Sequence, residues 1–368
     1  MAIYRIYPES DAFLASEITK ANTGKDEIVE LGGYEDISGT TRTNRTVVKF
    51  NQTEILDVVD NKIGANAISA SLNYYLAEAS ELPVSYLVYS YPLAQDWDNG
   101  RGKFGDIPTD TTGVSWEYTR AGEVTPWTTS GWGANITGSY TGSQAGGGSW
   151  YTGSGGVNLE TSQSFVINSD KDITLDVSNA IRLFYSGSIS NYGHILKLEN
   201  QYEFNENTNI RLRFFSNNTN TIYPPYLEFK WDDTSYLTGS LSVLSTDIST
   251  VGIKNNKERY ESSGKVRFKV NARPKYPVRT FTTSSVYLTN YALPENSFWG
   301  VKDEYTEEMV IDFDQYTKIS CDSSGPYFDV YMDSFQPERY YRMMVKTTID
   351  GAQVIFADKN TFKVVRNV

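Results

Sequence analysis

Arg339-Tyr-Tyr-Arg-Met-Met-Val-Lys346, with Tyr327-Phe-Asp-Val-Tyr-Met-Asp333 just before it, decides the fold class. Both stretches read at a period of two, the spacing that sends successive side chains to opposite faces of a strand. Working outward, the same signature recurs at 239–245, 264–272, 284–289, 309–313, 318–322, 353–357 and 362–365. Short strands with turn residues between them, in a segment of about 130 residues, fit an immunoglobulin-like sandwich over 238–368. Asp232-Asp233-Thr234-Ser235 closes the part before it. There the pattern continues through 2–7, 26–33, 45–50, 67–76, 84–91, 163–167, 172–177, 194–199, 210–215 and 226–231. Only 53–61 has helical spacing, with Thr53 as the expected cap, and 177–185 adds one further helical turn. The expectation is an all-β chain: a jelly-roll sandwich over 1–232, then an immunoglobulin-like β-sandwich over 238–368.

One segment breaks the rhythm. Residues 96–156 carry five of the seven tryptophans: Trp97, Trp116, Trp127, Trp132 and Trp150. From Gly122 onward the same segment holds eleven glycines. Loops of such length are uncommon in compact domains and are usually functional or disordered. Disordered segments are poor in aromatics, so this one has something to contact. Trp97 and Trp116 flank scaffold strands and read as core or rim residues. Trp127, Trp132 and Trp150 are the candidate interface or glycan contacts, with a neighbouring subunit, the protein's own scaffold and a sugar as the open alternatives.

Composition removes whole classes of chemistry. The formal charge is −12, whereas nucleic-acid binders present a basic face, so nucleic acid is not an expected partner. The one basic concentration, five Lys/Arg between Arg267 and Arg279, reads as a solvated strand face. A single cysteine, Cys321, excludes an internal disulfide and reads as a small buried apolar residue. A single histidine, His194, excludes a multi-histidine zinc site, and its place at the start of a strand favours a structural role over a hydrolytic triad. The glycine run 146–148 lacks the lysine of a phosphate loop. Carboxylates alone can hydrolyse glycosides, and Asp96, Asp98, Asp106, Asp110, Glu117 and Glu123 are the nearest candidates. Asp96-Trp-Asp-Asn99 is oxygen-rich enough for calcium but does not match an EF-hand, which leaves any metal unassigned. No enzyme activity and no cofactor are expected. No apolar run approaches a membrane span and no secretory leader opens the chain, so synthesis in a cytoplasm, without a membrane partner, is expected.

The order of several short motifs then becomes informative. Asp11-Ala12-Phe13, Asn22-Thr23-Gly24, Arg45-Thr-Val-Val-Lys-Phe50 and Ala70-Ser-Leu-Asn-Tyr-Tyr-Leu76 are followed by Trp97-Asp-Asn-Gly-Arg-Gly102 with Trp116, then Asp172-Ile-Thr-Leu-Asp-Val-Ser178 and Tyr192-Gly-His-Ile-Leu-Lys-Leu198. Across about residues 8–231 this resembles the DNRLRE-type domain, a jelly roll similar to carbohydrate-binding modules. The longer glycine-rich insert at 122–156 is a departure from that pattern. Glu307-Glu-Met-Val-Ile-Asp-Phe-Asp314, Thr317-Lys-Ile-Ser-Cys-Asp322 and Gln336-Pro-Glu-Arg-Tyr-Tyr-Arg342 resemble virion structural proteins of tailed bacteriophages. The resemblance implies a virion component of the neck, tail or capsid surface, made in the host cytoplasm, whose partners are other virion proteins and further copies of itself. It carries no catalytic residues. The alternative is an adsorption module that stacks a host-surface glycan on the tryptophan-rich loop.

Overall fold

The computed structural model describes residues 2–80, 85–128, 135–138, 145–165, 172–278, 289–357 and 360–367. The chain is all-β, as its patterning requires. It forms two compact units, Ile6–Gly64 with Ile68–Glu228, and Phe229–Val368 with Met1–Arg5 and Ala65–Ala67. The sequence boundaries of 1–232 and 238–368 differ from this in three respects. The division falls between Glu228 and Phe229, and both the N-terminal residues and Ala65–Ala67 belong with the second unit. There Tyr4 donates to Asp333 at 3.0 Å and Ile3 joins the core.

The first unit is a jelly-roll-like sandwich. Its larger sheet runs Thr161–Phe165, Tyr86–Pro92, His194–Leu198, Thr41–Lys49, Ile28–Glu35, Ile210–Phe215 and Leu76–Ser80, with Ser10–Ala15 also on Thr41–Lys49. A second sheet places Ser69–Tyr74 between Tyr226–Trp231 and Ile173–Asp176. An aromatic contact joins the two layers, Tyr74 meeting Phe214 at 5.9 Å, and Phe214 in turn meets Phe165 of its own sheet at 6.4 Å. The sheet forks at Thr41–Lys49. Asn44 pairs with both Ala15 and Gly32, and Val48 with both Asp11 and His194. Ser10–Ala15 therefore takes one edge, and Ile28–Glu35 and His194–Leu198 share the other. Arg45 lies between those two pairings.

The helix Gln52–Asp57 is capped by Asn51, whose carboxamide oxygen accepts from the Thr53 and Glu54 amides at 2.8 and 3.3 Å. Thr53 is thus inside the helix, not its cap; the asparagine two residues earlier takes the role, its extended backbone placing the carboxamide oxygen against the free N–H groups. Ser178–Tyr185 forms the second helix where 177–185 was expected.

The second unit is a two-sheet sandwich, immunoglobulin-like in that respect. One sheet runs Ser249–Lys254, Lys265–Pro274, Gly325–Tyr331 and Ser320–Asp322. The other runs Arg259–Glu261, Thr361–Val365, Arg339–Ile349, Ser297–Asp303 and Met309–Ile311, with Ala352–Phe356 also on Arg339–Ile349. Trp299 stacks on Phe328 at 5.1 Å between the layers. The strand expected at 239–245 is absent; only Val243 bridges, to Ala292. Ser297–Asp303 is a central strand that the alternation did not reveal. Its Gly300 interrupts the pattern because a side chain there would meet Phe313 at 2.9 Å. The expected strand at 284–289 falls almost entirely outside the described residues. No helix among the described residues is long and apolar enough to cross a membrane.

Candidate functional site

The tryptophan-rich excursion leaves the large sheet after Tyr86–Pro92 and returns at Thr161–Phe165. Those two strands are hydrogen-bonded neighbours, with Ser90 opposite Thr161 and Tyr86 opposite Phe165. The excursion is therefore one enlarged hairpin connection. Lengthening a loop between ends already held together costs little extra entropy.

It is fastened by the motifs that look weakest in sequence. The Asn22 side chain donates to Asn99 O and Val114 O, both at 2.8 Å, and accepts from the Gly102 amide at 2.8 Å. Asn99 returns a bond to Gly24 O at 2.8 Å. A Cβ on Gly24 would lie 1.9 Å from Asn99 O, so only glycine permits this approach. The Asn-Thr-Gly and Trp-Asp-Asn-Gly-Arg-Gly stretches are two halves of one clasp.

Behind the clasp, Trp97, Trp116 and Trp150 pack with Ala12, Leu14 and Val47 in a single buried cluster. Trp97 and Trp116 are core residues, as expected. Trp150 is only 6% exposed, which corrects its place among the surface contacts. It pairs across Ile136–Gly138 and Ser149–Tyr151 and bridges to Leu93, so its ring is turned onto the sheet. Trp127 is half-buried against the same cluster, its indole N–H donating to Ser115 O at 3.0 Å. Trp132 lies outside the described residues. Of the three candidates, the structure brings two to one cluster, and neither offers a free indole face flanked by unused donors.

Beneath the tryptophans lies a charged group that the sequence reading missed. Arg45 and Glu203 have side chains of 0% exposure, and Lys197 of 3%. Arg45 grips Glu203 through two bonds of 2.9 and 2.8 Å and donates to Gly147 O at 2.7 Å. Lys197 reaches Glu203 at 3.1 Å, Leu198 O at 2.8 Å and Asn200 at 2.7 Å. The Arg45 guanidinium is 5.1 Å from the Trp116 ring and 5.2 Å from the Trp150 ring. Burial pushes the Glu203 carboxyl upward, but Arg45 and Lys197 outweigh it and hold the group below its ordinary range. The Lys197 ammonium is pulled down by burial, with Glu203 opposing. Gly146, Gly147 and Gly148 have φ of 112°, 72° and 103°, and a Cβ on Gly147 would strike the Trp116 ring at 2.6 Å. The glycine run is thus a close-packed lid on this cluster. A lone Arg45 in a strand pattern gives no sign of a partner 158 residues away.

The remaining candidates resolve individually. Asp96 pairs with Lys49 at 2.9 Å and Arg120 at 2.7 Å, and Asp98 with Arg120 at 3.3 Å, so basic side chains fill the position considered for calcium. Asp106 accepts from the Lys103 amide, Asp110 from Thr112, and Glu117 from Thr19. Glu123 lies 3.9 Å from Arg120. Each is committed to a loop amide, a hydroxyl or a basic side chain, and none faces another as an acid–base pair in the contacts found. His194 is buried against Phe184, its centroid 5.7 Å away, and burial pushes its imidazole down to about 4. It remains neutral and structural. Cys321 is buried and free, with its thiol pushed up to about 11 by burial.

A cleft of about 400 Å³ opens elsewhere on this unit, lined chiefly by Asp26, Glu30, Glu78, Phe104 and Arg213, with Phe13 at its base. Arg213 is committed to Glu30 and Glu78, each at 2.8 Å. Asp26 accepts from the Phe104 amide at 2.9 Å, and burial pushes its carboxyl up to about 6. The cleft therefore combines an aromatic wall with an excess of carboxylates. Its residues come from strands and loops far apart in sequence, which is why no motif marks it.

No family model matches the chain, and no curated protein matches it. Among solved structures, it is similar to a DUF4785 family protein from Legionella pneumophila, at 9% identity and a TM-score of 0.19 over 98% of this chain and 66% of that one. It is also similar to a beta-glucuronidase from Bacteroides uniformis, at 7% identity and a TM-score of 0.19 over 98% of this chain and 35% of that one. The chain thus spans under two thirds of the length of either. At these scores neither likeness bears on function.

Proposed function

We propose that this chain is a structural component of a tailed-bacteriophage virion, of its neck, tail or capsid surface, and that it acts through protein–protein contacts. The observation that supports this most directly is the strand Ala352–Phe356. It pairs with Arg339–Ile349 along one edge, and no described strand pairs with the other. Its sequence, Ala-Gln-Val-Ile-Phe, has no charge and no proline, and Ile355 is 53% exposed. Soluble proteins usually blunt such an edge with lysine, proline or a bulge, because it invites another strand. In an assembly, a neighbouring subunit supplies the cover by strand addition or side-chain packing.

The alternative reading, a carbohydrate-binding adsorption module, draws less support, because two of its three expected platform residues pack inward, Trp150 buried and Trp127 half-buried against the core, while Trp132 lies outside the described residues. Phe104 and the carboxylates of the cleft offer it a second surface. The test is proteomic and protective. Peptides of this chain are expected in purified particles, and amides 352–356 are expected to exchange more slowly there than in the isolated protein. Absence from well-purified particles would sink the proposal.

A further inference from the structure

We infer that copies of this chain associate head to tail, a lysine on the basic sheet face of the second unit entering the acidic cleft of the first unit of the next copy. This deepens the assembly reading and rests on it.

The donor surface is the outer face of Ser249–Lys254 and Lys265–Pro274. Lys254 stands directly opposite Lys269 in the antiparallel register, and both are exposed. Like charges in directly opposed positions destabilise a sheet. Neither lysine has a carboxylate within ion-pair distance among the described residues. Lys265 and Arg267 extend the same face at two-residue spacing but share one carboxylate, Asp329, at 3.0 and 2.8 Å. Asp322, held low by the Ser324 hydroxyl, also feels Lys269. Four cations thus face three carboxylates, Asp329, Asp322 and Asp233, in a chain of net charge −12. An unfavourable lysine pair kept on a strand face is what a surface awaiting an anionic partner looks like.

The acceptor is the cleft already described. Three carboxylates, Asp26, Glu30 and Glu78, face one guanidinium there. Arg213 satisfies Glu30 and Glu78, and Lys103, although near Asp26, pairs with Glu27 at 3.2 Å. Asp26 thus keeps carboxylate capacity with no committed side-chain cation. Half-exposed Phe104 beside it gives an apolar wall for a lysine stem and a ring face for its ammonium. The opening, about 400 Å³, is ample for one lysine side chain. A second copy is the occupant that the charges favour, because the chain carries both halves of the complement while its overall charge repels any unspecific pairing. Such a contact uses two different patches, so it propagates into a ring or a filament.

The experiment is sedimentation velocity of the full chain at about 50 mM and about 500 mM NaCl, which shortens the screening length several-fold. Wild type is expected to sediment as multimers at low salt and to dissociate at high salt. Lys254→Glu/Lys269→Glu and Asp26→Asn/Glu78→Gln are each expected to stay monomeric, with thermal melts confirming that both fold. Mixed together, they retain one intact cleft and one intact basic face, and are expected to form a 1:1 complex that does not grow. Lys269→Gln, a milder variant, should weaken association about tenfold. A wild type that stays monomeric at low salt overturns the inference, as does a 254/269 variant that assembles normally or a mixture that fails to pair. Wild-type monomers that instead bind a polyanion such as heparin through Lys254 and Lys269 overturn it in favour of a different partner. Any of these results leaves the assembly reading itself to the particle proteomics.

Discussion

The cluster around Arg45 and the face around Lys269 both gather several charges on β-strands, and they treat them in opposite ways. Arg45, Glu203 and Lys197 are sealed under Trp116 and Trp150, with the carboxylate bonded to both cations. Lys254 and Lys269 face each other in solvent with no ion pair between them and any described carboxylate. Charge taken out of water is tolerated only when every hydrogen-bonding valence is met. Exposed charge carries no such demand, so it can remain unbalanced and serve a contact. Burial therefore marks the first group as structural, and exposure leaves the second available.

Removing the shared carboxylate should break this contrast most severely. Glu203→Gln leaves two buried cations without the carboxylate they share, and should cost about 3–5 kcal/mol in urea unfolding. Replacing Arg45, Glu203 and Lys197 together with apolar residues of similar size should recover most of that loss. A loss below about 1 kcal/mol for Glu203→Gln would mean that water reaches the cluster.

The lid comes next. Trp150→Ala should cost about 3–5 kcal/mol, as large aromatic truncations in cores do, and should leave glycan-array signals unchanged from wild type. Little loss of stability, or a binding signal that vanishes with the ring, would restore Trp150 as a surface contact.

Asp11 tests the middle ground: one buried carboxyl with no bonded counter-ion. Its Oδ2 accepts from the Asn217 amide at 2.7 Å, and its Oδ1 has no partner. Burial raises it from 3.8 to about 7, against the pull of that amide and of Lys25. Between these values the unfolded chain has released the proton and the folded chain retains it. Stability should therefore fall as pH rises from about 4 to 7 and then level off. Asp11→Asn should remove that slope, becoming on the order of 2–4 kcal/mol more stable than wild type above pH 7. Parallel pH profiles for the two proteins would show that Asp11 is ionised throughout. The smallest effect belongs to the exposed face: Lys269→Gln should change monomer stability by no more than about 0.5 kcal/mol, measured at high salt.

Much of the scaffold was legible because alternation is a local property. The strands Gly325–Tyr331 and Arg339–Ile349, the helix Ser178–Tyr185, the burial of Trp97 and Trp116 and the structural role of His194 all follow from neighbours in sequence. Ser297–Asp303 was not legible, since Gly300 breaks its pattern for the sake of Phe313 across the sheet. The tryptophan-glycine block was misread in part for a related reason. Its glycines suggested looseness, yet Gly147 is glycine because the Trp116 ring lies against it. The cleft was invisible: Asp26, Phe104 and Arg213 share no motif.

By itself, then, the sequence determined that this chain is of the all-β class, that it lacks the histidines and cysteines for most metal and nucleophilic chemistry, and that residues 96–156 must contact something. Only the tertiary structure decided what they contact. The excursion joins two strands already paired, so it folds back onto its own sheet, and there it meets Arg45 and Glu203, 158 residues apart. Strand periodicity is set by adjacent residues, whereas burial of a charge and closure of a cleft depend on which distant residues the sheet order brings together.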